Sequence, residues 1–124
     1  MMDADTLLFF AGRAEELGLY AALLDWLTPL GDVTPVVHKT QISLRNCRVF
    51  ACVSMLRVRK KALLPPHYLV LTLGLPYPIR SSRIDGPVEA RPGRWTHHIV
   101  VSEENELDEE LLGWVRKAYA FADR

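Results

Sequence analysis

The spacing of the apolar residues changes twice along the chain, and this change constrains the fold more than any other feature. Between residues 13 and 30, apolar side chains recur every three to four positions, as they do on one face of a helix. From Val33 they alternate with polar side chains, as they do along a strand. Residues 107–122 return to the helical spacing. This order predicts a mixed fold in which a run of strands lies between helices.

The N-terminal part contains two helical segments. Asp5 can accept the free backbone amides of a short first segment, TLLFFA, which Gly12 then interrupts. The second segment extends from Arg13 to about Leu30, where Gly31 favours termination. Its apolar stripe comprises Leu17, Tyr20, Leu23, Leu24, Leu27 and Leu30.

Four later stretches have the character of strands. They read VVHKTQISLR, VFACVSMLRV, HYLVLTLGL and RWTHHIVVS. The first has one polar face, whereas both faces of the second are largely apolar, which is typical of a central strand. Residues 76–94 are rich in proline, glycine and arginine, so we expect a long, mobile surface loop there.

A dense run of acidic residues opens the last helical segment. It consists of Glu103, Glu104, Glu106, Asp108, Glu109 and Glu110. Negative side chains complement the positive end of the helix dipole, and the basic residues Arg116 and Lys117 follow later. The run therefore indicates the start of a helix rather than a metal site.

These elements predict a single α+β domain over residues 1–124. We expect N-terminal helices, a four- to five-stranded and mainly antiparallel sheet, and a C-terminal helix, with the helices on one face of the sheet. A chain of 124 residues is long enough to bury a core of its own.

Several protein classes do not fit the composition. No apolar stretch approaches the roughly 20 residues that span a bilayer, and the acidic N-terminus is unlike an export signal. The chain has two cysteines, Cys47 and Cys52, which suits a reducing cytoplasm better than an oxidising compartment. Their spacing is not that of a zinc site. We therefore expect a cytoplasmic protein without membrane association, metal or cofactor.

The net charge of zero conceals a segregation of charge along the chain. Residues 1–37 hold six acidic residues and one basic residue, and residues 99–124 hold seven and three. Residues 38–98 hold eleven Lys and Arg but only two acids, Asp85 and Glu89. A basic middle between acidic ends indicates an anionic partner.

The predicted binding residues lie in this basic middle. Lys39, Gln41 and Arg45 alternate along one face of the first strand, and Arg57 lies at the end of the second. Arg94 and Trp95 stand where the long loop enters the last strand. Guanidinium groups bind phosphates in bidentate fashion, and an aromatic ring can stack on the bases of single-stranded nucleic acid. The alternative is a solvated face neutralised by the acidic helices.

The adjacent His97 and His98 raise the question of a metal or catalytic site. Neighbours in a strand point to opposite faces, so the two side chains do not chelate one ion. A single histidine can still act as an acid, a base or a hydrogen-bond donor, because imidazole titrates near neutrality. The alternative is a partly buried histidine whose ring nitrogens form hydrogen bonds with the backbone.

Recognised enzyme signatures are absent from the sequence. It contains no GxGxxG, GxxxxGK[ST], HExxH or GxSxG motif. We therefore expect no catalytic residues and favour a non-catalytic binding module for an anionic partner, either phosphate-bearing or nucleic acid. Two alternatives are a protein-interaction domain that forms a homodimer, and a small enzyme that uses His97 or His98.

Four stretches taken in order resemble the bacterial domain-of-unknown-function family numbered 5655. They are FFAGRAEELGLYAAL, HKTQISLRNCRVFACV, LVLTLGLP with its following SSRI, and GRWTHHIVV leading to ELDEELLGWVRKAYAFA. The most specific pieces are the strand start at Lys39 and Thr40 and the Trp95–His98 strand. The resemblance covers nearly the whole chain and implies no established activity.

A more remote similarity concerns the two strand motifs K-x-x-I-x-(L/F) and F-A-x-V. They are similar to small α+β families described as DNA-binding-like or frataxin-like, which implies a helix-covered antiparallel sheet. Iron binding of the frataxin kind relies on an acidic helix and strand edge, and the basic sheet face argues against it here.

Overall fold

The structure, a computed structural model that describes residues 3–122, is an antiparallel sheet covered by helices on one face. The elements are α1 (Ala4–Phe9), α2 (Ala14–Leu27), β1 (Thr34–Val37), β2 (Gln41–Arg45), β3 (Val49–Ser54), β4 (Leu69–Leu75), β5 (Ile84–Arg91), β6 (Arg94–Val101) and α3 (Glu109–Ala122). Short 3-10 turns occupy Thr28–Leu30, Lys61–Leu63 and Glu104–Glu106. The predicted α+β class is confirmed, although the sheet has six strands rather than four or five. Between residues 3 and 122, none of the helices has the length and apolarity required to cross a bilayer.

The six strands are ordered β1-β2-β3-β4-β6-β5, and all neighbours are antiparallel. The core lies between one face of this sheet and the helices. Alternate residues of β4, from Leu69 to Leu75, are buried there, as are Leu111, Val115 and Ala118 of α3. Tyr20, Leu23 and Leu27 of α2 complete the same cluster. Burial of one face leaves the opposite face without a helix, and we call it the open face.

The first predicted strand is in fact two strands. The chain turns back at residues 38–40, where the His38 amide donates to the Gln41 carbonyl at 2.8 Å. Val37 then pairs with Ile42 across the new hairpin. The alternation of apolar and polar residues continues through the turn, so periodicity alone did not reveal it. Lys39 consequently lies in a turn and not on the strand face predicted for it.

The expected mobile loop at 76–94 contains β5 and is therefore largely a strand. Gly86 and Pro87 occupy an interruption in the register between Asp85 and Val88. Because β5 is an edge strand, it needs ladder hydrogen bonds on one side only and tolerates proline at such a bulge. The composition indicated a loop, whereas pairing with β6 made the segment a strand.

The acidic run lies at the start of a helix, as the sequence predicted, and some of its side chains also accept backbone amides there. The Glu106 side chain accepts the amides of Ser102 and Glu103 at 2.8 and 2.9 Å and so closes the short 3-10 turn. The Asp108 carboxylate accepts the Leu111 amide at 3.0 Å at the start of α3. This backbone hydrogen bond, together with Arg83, lowers the pKa of Asp108.

The connection between β3 and β4 is much longer than a hairpin between neighbouring strands requires. Its 14 residues, 55–68, reach across one end of the open face. The Arg59 side chain meets Asp85 of β5, on the far edge of the sheet, at 2.7 Å. Val70 points to the open side yet is only 1% exposed. We call residues 55–68 the strap.

The core explains which single substitutions destabilise the fold. Leu71 is 1% exposed between the sheet and the helices, whereas Leu8 of α1 is 76% exposed. We expect Leu71→Ala to lower the free energy of unfolding by about 2–5 kcal/mol, because it leaves a cavity. Leu8→Ala, the matched control, should change it by less than about 0.5 kcal/mol. Urea unfolding measures both, and equal effects would contradict the described core.

Candidate functional site

A line of polar side chains crosses the open face at right angles to the strands. The register places five residues from five successive strands opposite one another: Ser43, Cys52, Thr72, His98 and Asp85. We call this set the polar row. Cross-strand partners on one face are close enough to interact, so the row is a continuous track of hydrogen-bonding groups.

Both ends of the polar row are held by residues outside it. His38 Nε2 lies 3.0 Å from the Ser43 hydroxyl, and Arg59 Nε donates to Asp85 Oδ2 at 2.7 Å. In the middle, Thr72 Oγ1 and His98 Nδ1 share a hydrogen bond of 2.9 Å. The row is therefore built from specific pairs rather than from independently solvated side chains.

Partial burial keeps the central groups of the row uncharged at neutral pH. Desolvation lowers the pKa of His98, although the charge of Asp85 opposes this effect. Desolvation also raises the pKa of Cys52, against a weaker effect of its hydrogen bond with Ser43. The row thus offers a neutral imidazole and a protonated thiol, neither of which is activated as a strong nucleophile.

Cysteine–histidine catalysis does not fit this geometry. Cys52 on β3 and His98 on β6 are separated by β4, and strands are about 4.8 Å apart, so their backbones lie roughly 10 Å from each other. A thiolate–imidazolium pair requires direct hydrogen-bond contact. The only residue of the row that contacts His98 through a hydrogen bond between residues 3 and 122 is Thr72.

His97 and Trp95 lie on the helix-covered side of β6. His97 is 1% exposed, and its Nε2 accepts the Ile79 amide at 2.9 Å. That bond anchors the connection from β4 to β5 where it crosses β6. Burial lowers the pKa of His97, which keeps the imidazole neutral as an acceptor requires. Neither residue is available to a ligand on the open face.

The remaining predicted residues are dispersed. Gln41 and Arg45 share the open face of β2 with Ser43, and Arg57 lies in the strap. Lys39 lines a separate concavity of about 590 Å³ beside α1, whose walls include Leu8, Phe9 and Leu56. The Arg94 guanidinium lies 5.5 Å from the centre of the Phe121 ring of α3.

The strap forms a concave surface of its own. A cavity of about 490 Å³ is lined by Arg57, Lys61, Leu64, Pro65, Pro66 and Tyr68. We call it the strap basin. Within residues 3–122 neither Arg57 nor Lys61 forms an ion pair. The sequence had indicated Arg57 but not Tyr68. The strap also carries four Lys and Arg and no acid, which is the signal that sequence offers for this surface.

Metal ligation has no support in the described part of the chain. Over residues 3–122, no three or more His, Cys, Asp or Glu side chains are grouped so that they could hold an ion.

The comparisons with known proteins place this fold in one family. The model of the family described as Domain of unknown function (DUF5655) matches residues 8–122. The chain belongs to the DUF5655 family. No curated protein and no solved structure matches this DUF5655 domain.

Burial of the two histidines of this DUF5655 domain makes its stability depend on pH. In the folded state their pKa values lie below 6.5, so the unfolded chain takes up protons first as the pH falls. The free energy of unfolding that depends on these two histidines is therefore fully present above about pH 6.5 and declines as the pH falls below it. Urea unfolding at about pH 7.5 and about pH 5.5 should show this loss, and His98→Gln should reduce it.

NMR titration of the imidazoles provides the control for this prediction. Asp85→Asn removes the charge that supports protonated His98, so the pKa of His98 should fall further while that of His97 stays nearly unchanged. A His98 imidazole that titrates above 6.5 in the folded protein would contradict the interpretation.

Proposed function

We propose that this domain is a non-catalytic binding module for an anionic, phosphate-bearing ligand. The ligand binds at the strap and the adjoining open face. One observation carries the proposal. Residues 55–68 contain Arg57, Arg59, Lys60 and Lys61 but no carboxylate, and of these four cations only Arg59 has an ion-pair partner within residues 3–122. Three unpaired cations in one short segment attract an anion.

The distribution of acidic residues supports this proposal. The one carboxylate of the polar row, Asp85, is already paired with Arg59. Near α3, Asp108 and Glu110 are paired with Arg83 at 3.0 and 2.9 Å. The α2 carboxylate of Glu16 contacts the strap at His67, whose Nδ1 lies 3.2 Å from Glu16 Oε2. Within residues 3–122, no α2 or α3 carboxylate forms an ion pair with Arg57, Lys60 or Lys61.

The chemistry of the cations favours phosphate among anions. The planar Arg57 guanidinium can donate two parallel hydrogen bonds to phosphate oxygens, and the Lys61 ammonium adds a mobile point charge. Nucleic acid is one source of such phosphates, and the polar row supplies hydroxyl and imidazole groups beside them.

Homodimerisation through a sheet edge has less support. β1 is four residues long and contains Pro35, which has no amide to donate to a partner strand. The other edge, β5, has two interruptions in its register. Both features oppose the addition of a further strand.

Charge neutralisation in the strap tests the proposal. We expect Arg57→Gln/Lys61→Gln to leave a heparin column at lower salt than wild type, because two of the three unpaired cations are lost. For binding to single- or double-stranded DNA, the slope of log binding constant against log salt should become shallower by about 1.4 to 1.8. The matched control is Arg116→Gln/Lys117→Gln, which removes the same charge from the exposed side of α3. Equal effects of the two variants would contradict a specific site.

A second candidate function is proton transfer at His98, favoured by its 2.9 Å hydrogen bond with the Thr72 hydroxyl. A neutral imidazole in this position can accept the hydroxyl proton. We expect any hydrolysis of nitrophenyl esters or phosphates to be abolished by His98→Gln and by Thr72→Val. The Arg57→Gln/Lys61→Gln variant should retain it. Wild-type protein without such activity, or activity that survives both substitutions, would eliminate this candidate.

A further inference from the structure

We infer that the strap basin binds a nucleoside phosphate, with the base against its apolar wall and the phosphate between Arg57 and Lys61. The inference rests on the proposed anion-binding function and gives it a ligand class. It follows from the composition of the basin, which combines a cationic part and an apolar part in one cavity.

The apolar part of the basin is suited to a planar ring. Leu64, Pro65, Pro66 and Tyr68 form the wall, and none of these side chains carries a charge. The Tyr68 hydroxyl donates to the Met55 carbonyl at 3.3 Å, which ties the two ends of the strap together and holds the aromatic ring in place. A ring fixed before binding loses little conformational entropy when a base stacks on it.

The cationic part of the basin is suited to a phosphate. Arg57 and Lys61 line the same cavity, no carboxylate lines it, and neither cation has an ion-pair partner within residues 3–122. A phosphate placed between them meets two positive charges and no repulsion. Inorganic phosphate would use only this part and would leave the apolar wall in contact with water.

The size of the basin favours a mononucleotide over a polynucleotide. Its volume of about 490 Å³ lies within the roughly 300–1,000 Å³ that is usual for small-ligand pockets. An extended strand would place only one of its nucleotides in such a cavity.

Isothermal titration calorimetry of the full chain tests the inference with AMP, adenosine and inorganic phosphate. We expect AMP to bind about tenfold or more tightly than either of the other two, because only AMP uses both parts of the basin. Arg57→Gln/Lys61→Gln should weaken AMP binding by about tenfold or more, whereas Arg116→Gln/Lys117→Gln should leave it unchanged.

Substitutions of Tyr68 test the apolar wall separately from the charges. Tyr68→Leu removes the ring, so AMP should bind only about as tightly as phosphate. Tyr68→Phe keeps the ring but loses its hydrogen bond with Met55, so it should bind AMP more weakly than wild type and still prefer AMP to phosphate. Circular dichroism and urea unfolding verify that each variant is folded.

The outcomes separate this inference from the function on which it rests. One outcome is that heparin retention depends on Arg57 and Lys61 while AMP binds no more tightly than phosphate. That result would support the proposed anion-binding function and contradict the assignment of a nucleoside phosphate as the ligand. If AMP binding survives Arg57→Gln/Lys61→Gln, the assignment to the basin is wrong. If neither heparin nor AMP binding depends on these residues, both proposals fail.

Discussion

Packing of the helices on a single face of the sheet is the constraint on which the other features of this domain depend. α2 and α3 bury alternate residues of the central strands, and the same alternation directs every intervening side chain to the open face. His97 is consequently a core residue and its neighbour His98 a member of the polar row. Because the helices pack on only one face of the sheet, two adjacent histidines lie in entirely different environments.

The strap is the second determinant of the candidate site. It covers one end of the open face, where Val70 would otherwise contact water, and its Arg59 pairs with Asp85 across the intervening strands. That pair removes the only acidic charge of the polar row from competition for an anion. The strap therefore both shields the sheet and presents its remaining cations outward.

Ion pairing sorts the basic residues of the middle segment into structural and available ones. Arg83 forms ion pairs with Asp108 and Glu110 and donates a hydrogen bond to the Glu106 carbonyl. Because Arg83 directly precedes β5, these contacts attach the start of α3 to that edge of the sheet. Arg94 lies against Phe121. Arg57 and Lys61 have no ion-pair partner within residues 3–122, and the two side chains line the strap basin together.

The sequence by itself determined the fold class, which neighbouring residues of a strand share a face, and the position of the acidic run at the start of a helix. These properties depend on local periodicity and on groups a few residues apart, such as Asp108 and the Leu111 amide. Only the tertiary structure decided that 33–45 is a hairpin, that Pro87 lies in an edge strand and that Arg59 meets Asp85. Those features arise from pairing between segments distant in the chain, for which alternation and composition carry no signal. The strap basin belongs to the second group, because its shape results from the path of residues 55–68 over the sheet.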